Sequence, residues 1–237
     1  MCLVFISIGP KRRGPVLIGA NREESRRRPV TSPVCAIGRS ARSLLAGADH
    51  GPDGSFPQIG TWLGVNEFGM AVAVTNRHDG ALAWADQFRS RGLLAVSLLD
   101  SQFPDRAIAV AQAELEKGGY GGCNFLVANA DVALVVQAPG AQSISVTRLE
   151  PGTHAMTNLD LDDDDPRINL VRATLERADF VASAGRLCRD GRIVVGDDVR
   201  GTVSSSLIVA ADDIALYHLQ GDPRDRAYQR FPLLSQD

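Results

Sequence analysis

Apolar and β-branched residues at the start of the chain come in short runs, separated by turn-forming glycines and prolines. Cys2-Leu3-Val4-Phe5-Ile6-Ser7-Ile8 is one run, residues 9–14 have turn composition, and 15–20 form a second run. Together they predict a hairpin that begins at the residue after Met1. Residues 21–33 are polar and carry prolines, so they are expected to form a loop. A second hairpin is predicted where 61–65 and 70–75 flank the turn residues 66–69.

The spacing then changes. Leu93, Leu94, Val96, Leu98 and Leu99 predict a helix. After a break at Pro104, Ile108, Ala109, Ala111, Gln112 and Leu115 predict another, with Asp105 as N-cap and Gly118 as stop. Strands are expected at 125–128, 132–136, 144–147 and 154–157. A third helix runs through Ile168, Val171 and Leu175, opened by Asp165 as N-cap and Pro166 at the first helical position. Residues 207–211 and 214–219 form a closing hairpin around Asp212-Asp213. Strand runs divided by helical segments and joined by tight turns favour antiparallel sheets covered by helices over a βαβ repeat. No repeat or low-complexity linker marks a boundary, so one domain over 1–237 is expected.

Composition narrows the function classes. With 44% hydrophobic and 22% charged residues the chain can bury a core, and a net charge of −3 lacks the basic excess of nucleic-acid binders. The isolated run Arg26-Arg27-Arg28 reads as solvated surface. Cys2, Cys35, Cys123 and Cys188 form no C-x-x-C pair, and His50, His78, His154 and His218 show no ligand spacing, so neither zinc nor a disulfide scaffold is expected. The acids 162–165 lack the alternate spacing of a calcium loop and suit a helix N-terminus instead. Gly118-Gly119-Tyr120-Gly121-Gly122 lacks the Lys-Ser/Thr ending of a phosphate loop, and Ser204-Ser205-Ser206 lacks a nucleophile-elbow pattern. With no secretory pattern at the N-terminus and no apolar run of about 18 residues, a cytoplasmic protein without a transmembrane segment is expected.

Cys2 carries the most chemistry. Methionine removal before a small residue would leave a thiol and a free α-amine on one residue. With reference pKa values of about 7.7–8.0 for the amine and about 8.5 for the thiol, the amine can serve as base for its own side chain. Asn76 and Asn158 each follow a predicted strand and are candidate donors to a developing oxyanion, or turn residues. In Asn21-Arg22-Glu23-Glu24, an acid could hold the α-amine and Arg22 could bind a substrate carboxylate.

These signals, in this order, resemble the NRDE family, also called the transport-and-Golgi-organisation protein two family, from residue 2 to about 210. The likeness rests on Met1-Cys2, Ala20-Asn21-Arg22-Glu23-Glu24, Arg28-Pro29, Gly60-Thr61-Trp62-Leu63-Gly64, Thr75-Asn76, Ser90-Arg91-Gly92, Asn124-Phe125-Leu126 and Gly201-Thr202. It implies an α+β fold, a four-layer αββα sandwich of two antiparallel sheets flanked by helices, as in the cysteine branch of N-terminal-nucleophile hydrolases. It further implies Cys2 as nucleophile, Glu23 as the acid near its amine, Asn76 and Asn158 as oxyanion or orienting donors, and Asn21, Arg22 and Trp62 at a substrate. The chain departs from the family pattern at Glu23, where aspartate is usual, and at Val203, where arginine follows Gly-Thr; Arg200 or Arg22 could substitute. The expected function is hydrolysis or acyl transfer at a linear amide or related acyl group of a small molecule, without a cofactor. The alternative is a non-catalytic haem- or lipid-related binding or trafficking protein, with haem held by Cys2 or a histidine. Oligomeric state is left open.

Overall fold

The computed structural model describes residues 2–10, 14–28, 31–49, 59–77, 89–140 and 143–233. Met1, Pro29, His50, His78 and the middle of the 9–14 turn lie outside the described residues.

In chain order the strands are β1 (Leu3–Ile8), β2 (Val16–Ser25), β3 (Val34–Ile37), β4 (Arg42–Leu45), β5 (Leu63–Asn66) and β6 (Ala71–Asn76). Helices α1 (Arg91–Leu99) and α2 (Pro104–Glu116) follow. Then come β7 (Cys123–Ala128), β8 (Ala133–Ala138), β9 (Ser145–Arg148) and β10 (Gly152–Met156). The chain continues with α3 (Pro166–Thr174), α4 (Phe180–Leu187), β11 (Arg200–Ala210), β12 (Ile214–Gln220) and β13 (Gln229–Pro232). One six-stranded sheet has the order β10-β1-β2-β11-β12-β13, and a seven-stranded sheet has the order β3-β4-β5-β6-β7-β8-β9. Every named pairing is antiparallel.

Side-chain alternation along the strands builds three apolar interfaces and therefore four layers. Val4, Ile6, Ile18 and Ala20 of the six-stranded sheet meet Leu63, Val65, Ala73 and Leu126 of the other sheet. On its outer face, Leu3, Phe5 and Leu17 pack against Ile168, Val171, Phe180 and Leu187 of α3 and α4. The seven-stranded sheet likewise covers Val72, Phe125 and Val136 with Leu94, Leu98, Ile108 and Leu115 of α1 and α2. The fold is thus the αββα sandwich of two antiparallel sheets flanked by helices. Because both faces of the central strands are covered, they read as continuous apolar runs rather than as alternating ones. Gly19 belongs to this packing: a Cβ there would lie 2.2 Å from the Phe5 ring, so only glycine lets that ring cross β2.

Several expectations need correction. Residues 21–25 are not loop but the second half of β2, paired with β11 through Asn21↔Ser205, Arg22↔Ser204, Glu23↔Thr202 and Glu24↔Gly201. A polar strand held by a neighbour on either side leaves no hydrophobic period to detect. Asp105 does not cap α2; Phe103 holds that position and Pro104 opens the helix, with Asp105 in the first turn. Strands β3, β4 and β13 were not anticipated, each being four residues long. Helix α4 was not anticipated either, and β11 starts earlier than expected, with a bulge between Thr202 and Ser204. Asp165 does cap α3, accepting from the Arg167 N–H at 2.8 Å.

Candidate functional site

β1 lies inside its sheet between β10 and β2, and Cys2 sits immediately before it. Val4 and Ile6 face the space between the sheets, so alternation directs the Cys2 side chain to the same space. Cys2 is half-buried. Its backbone N–H donates to Asn158 Oδ1 at 2.9 Å, and its Sγ lies 4.0 Å from the Glu23 carbonyl oxygen.

Asn158 follows β10 and is buried. Its Nδ2 donates to the Asn76 carbonyl at 2.5 Å. That contact fixes the amide: a flipped side chain would set oxygen against oxygen, so Oδ1 must face the Cys2 nitrogen. Asn76, the last residue of β6, contributes its carbonyl here while its side chain is exposed. The two predicted asparagines therefore meet, but in series, with Asn158 touching Cys2 and Asn76 holding Asn158.

The segment around Asn158 is tied to the seven-stranded sheet by residues that sequence reasoning had not singled out. Asn124 on β7 donates to the Leu159 carbonyl at 2.8 Å, and Gln137 on β8 to Asp160 Oδ1 at 2.8 Å. Arg77 donates to Asp160 Oδ1 at 2.8 Å and to Asn124 Oδ1 at 3.1 Å. The one available signal was Asn124, which lies within the Asn124-Phe125-Leu126 motif.

The run Asn21-Arg22-Glu23-Glu24 divides itself between the two faces of β2. Arg22 points inward, its guanidinium 4.2 Å above the Trp62 ring, with Nη2 3.5 Å from Asp49 Oδ2. Burial lowers its pKa, against the opposing pull of Glu24 and Asp49. Asn21 points outward and donates to the Cys188 carbonyl at 3.0 Å, so the structure does not bring its side chain to Cys2. Glu23 also turns to the helical face, where Arg167 of α3 reaches it at 3.3 Å. Burial raises the Glu23 pKa, against the opposing pull of Arg167. Arg200 is 51% exposed and pairs with Glu24 at 3.6 Å, while Val203 is buried at the bulge. Of the two candidate substitutes for the family arginine, Arg22 is the one whose charge acts on Cys2.

Burial pushes the Cys2 thiol above its usual range, an effect opposed by the Glu23 backbone contact. The thiol is thus protonated at neutral pH, and attack by this sulfur requires a base. Cys123 and Cys188 are buried, their pKa values raised to about 12 and about 11, which leaves them inert. Cys35 is exposed on β3. Among the described residues no cluster of three or more His, Cys, Asp and Glu could hold a metal ion. The acids that sequence alone might suggest are otherwise engaged: Asp162 holds His154 at 2.7 Å and Arg172 at 2.8 Å, and Asp165 caps α3. Gly118 and Gly119 form the turn between α2 and β7 at φ values of 75° and 80°.

Residues 1–185 match the protein-family model described as Transport and Golgi organisation 2. The chain belongs to that family. The Homo sapiens Transport and Golgi organization protein 2 homolog is 28% identical to it over 167 residues, covering 67% of this chain and 57% of the relative. The Bos taurus homolog is 28% identical over 169 residues with the same coverage, so the match spans little more than half of these family members. Solved structures share the fold at low identity. The Caenorhabditis elegans N-acylethanolamine-hydrolyzing acid amidase ortholog has a TM-score of 0.60 at 14% identity, over 89% of this chain and 93% of that one. A C2A mutant of the conjugated bile acid hydrolase from Clostridium perfringens gives 0.57 at 10%, over 98% and 92%. Penicillin V acylase from Agrobacterium tumefaciens gives 0.55 at 13%, over 92% and 83%. This family member therefore has the N-terminal-nucleophile hydrolase fold. Among the described residues, no helix is long and apolar enough to cross a membrane.

Proposed function

We propose that this protein is an N-terminal-cysteine hydrolase or acyltransferase acting on a linear amide or related acyl group of a small molecule. The observation that carries this reading is Asn158, whose oriented Oδ1 meets the Cys2 nitrogen at 2.9 Å. Once Met1 is removed, that nitrogen becomes a primary amine anchored beside the sulfur it must deprotonate. An acceptor on one N–H leaves the amine lone pair free for the thiol proton.

In the proposed reaction the neutral amine takes the thiol proton as Sγ bonds to the carbonyl carbon. The carbonyl electrons move to oxygen, with the Asn76 side chain and the second Nδ2 hydrogen of Asn158 as donors. The ammonium returns the proton to the leaving nitrogen, the C–N bond breaks, and a Cys2 thioester remains. Water then attacks the thioester with the amine again as base, releasing the acid and restoring the thiol. An amine acceptor in place of water gives transfer. Glu23, paired with Arg167 at 3.3 Å and with its carbonyl oxygen 4.0 Å from Sγ, would help set the charge around the liberated amine. Likeness in fold to an acid amidase, a bile acid hydrolase and a penicillin acylase supports the reaction class.

The test is intact mass of purified protein, followed by incubation with a panel of linear amides. A mature chain beginning at Cys2 and a mass increase equal to the acyl group, absent from Cys2→Ala, is the expected result. Retained Met1 on fully folded protein, or equal turnover by Cys2→Ala, would sink the reading.

A further inference from the structure

Three buried side-chain atoms on the inward face of the six-stranded sheet have no close hydrogen-bond partner: Arg22 Nη1, Ser204 Oγ and His218 Nε2, the His218 ring making only a weaker contact with the Gln220 side chain. Their residues are 5%, 0% and 3% exposed. Strand register brings them together. Ser204 pairs directly with Arg22, and Ser206, two residues along β11, pairs with His218 and bonds its Nδ1 at 2.9 Å. Ile208 of β11 and Leu216 of β12 lie in the inter-sheet core, which fixes Ser204, Ser206 and His218 on that face. Ser205 faces the other way, bonded to the Tyr228 hydroxyl at 2.7 Å. Cys2 shares the inward face at the same level, next to Arg22, since Leu3 pairs with Asn21.

These atoms are difficult to explain as packing. The rest of this face includes Val4, Ile6, Ile18, Ala20 and Ile208, and an apolar residue at 204 would leave nothing unsatisfied. Each unpaired buried group costs about 1–3 kcal/mol, so three in one patch point to an absent partner. Arg22 has already committed Nη2 to Asp49 and its flat face to Trp62, which holds Nη1 in place. A rigid cationic donor, a hydroxyl and an imidazole together suit an oxygen acceptor. Two strand spacings separate β1 from β11, so this acceptor would sit about 10 Å from the sulfur.

We propose that Arg22, Ser204 and His218 form an acyl-chain subsite that binds a carboxylate carried about 10 Å from the carbonyl that Cys2 attacks. The favoured substrate is then a monoamide of a linear dicarboxylic acid. This inference rests on the reading of Cys2 as nucleophile, but its test does not. Binding is measured by calorimetry on Cys2→Ala protein, using linear dicarboxylic monoamides and fatty amides of matched length. A carboxylate end should tighten binding tenfold or more, with an optimum at about 8–10 carbons set by the two-strand span. Ser204→Ala and His218→Phe should each erase most of that preference while fatty-amide binding changes little; Ser204→Ala should also keep its melting temperature, whereas His218→Phe lowers it by orphaning the Ser206 hydroxyl. A carboxylate preference absent at every length, or intact in both variants, overturns the subsite. Ordered water as the only occupant gives the first of these results. If the preference holds but protein with Cys2 intact never forms a thioester with the same compounds, the subsite stands and the nucleophile reading falls.

Discussion

The two ends of the space between the sheets are built differently. Where β1 ends, a cleft of about 230 Å³ opens, lined among others by Ile8, Gly9, Val16, Val132, Leu149 and Arg177. Of its two arginines, Arg148 and Arg177, the second donates to the Ser7 carbonyl and, at 3.1 Å, to the Pro15 carbonyl, clamping the β1–β2 hairpin to the segment after α3. Gly9 makes room for it, since a Cβ there would lie 3.0 Å from the guanidinium. None of the residues lining this cleft carries an unpartnered buried side-chain atom. Where β1 begins, the arrangement is reversed: a sulfur, an oriented amide and three unpartnered polar atoms share one face. Volume marks where two layers fail to close, whereas buried polar atoms without partners mark where something else is meant to bind.

The contrast can be broken experimentally, with the largest effect at the Cys2 end. Cys2→Ala should lower acyl turnover by about a thousandfold or more, with little change in melting temperature, read by single-turnover mass spectrometry. Asn158→Ala should slow thioester formation about a hundredfold by releasing the amine, with Asn124→Ala producing a smaller loss through the same segment.

A pH dependence comes next. Burial pushes His218 from 6.5 down to about 4, so the folded state resists its protonation. The stability this neutral imidazole contributes is fully present above pH 6.5 and is lost as pH falls through 4, amounting to about 3 kcal/mol. Urea melts at pH 7 and pH 4 should show that loss, and His218→Phe should lack this component. The smallest effect belongs to the other end: Arg177→Met should cost about 1–2 kcal/mol of stability and leave the rate of Cys2 alkylation unchanged. A large rate loss in Arg177→Met would erase the distinction between the two ends.

Legibility in the sequence followed burial pattern. The apolar strands β1, β6, β7 and β12 and the helices α1, α2 and α3 were anticipated from their local spacing. The polar half of β2 was not, because its stability comes from pairing with β11, far along the chain. Asn76 and Asn158 were recognised by position after strands, yet nothing local says that one holds the other. Arg77 and Asp160 carried no signal at all, since an arginine and an aspartate at strand ends look like solvated surface until they are found joined at 2.8 Å.

The amino-acid order by itself determined where apolar runs start and stop, that Asp165-Pro166 opens a helix, and that a cysteine follows Met1. Only the tertiary structure decided that Arg22 and Asn21 face opposite layers, that Asn158 reaches the Cys2 nitrogen, and that Ser204 and His218 lie beside Arg22. The reason is range: hydrophobic periodicity is written in neighbours two to four positions apart, whereas polar groups find partners across strands remote in sequence, and no local pattern encodes which.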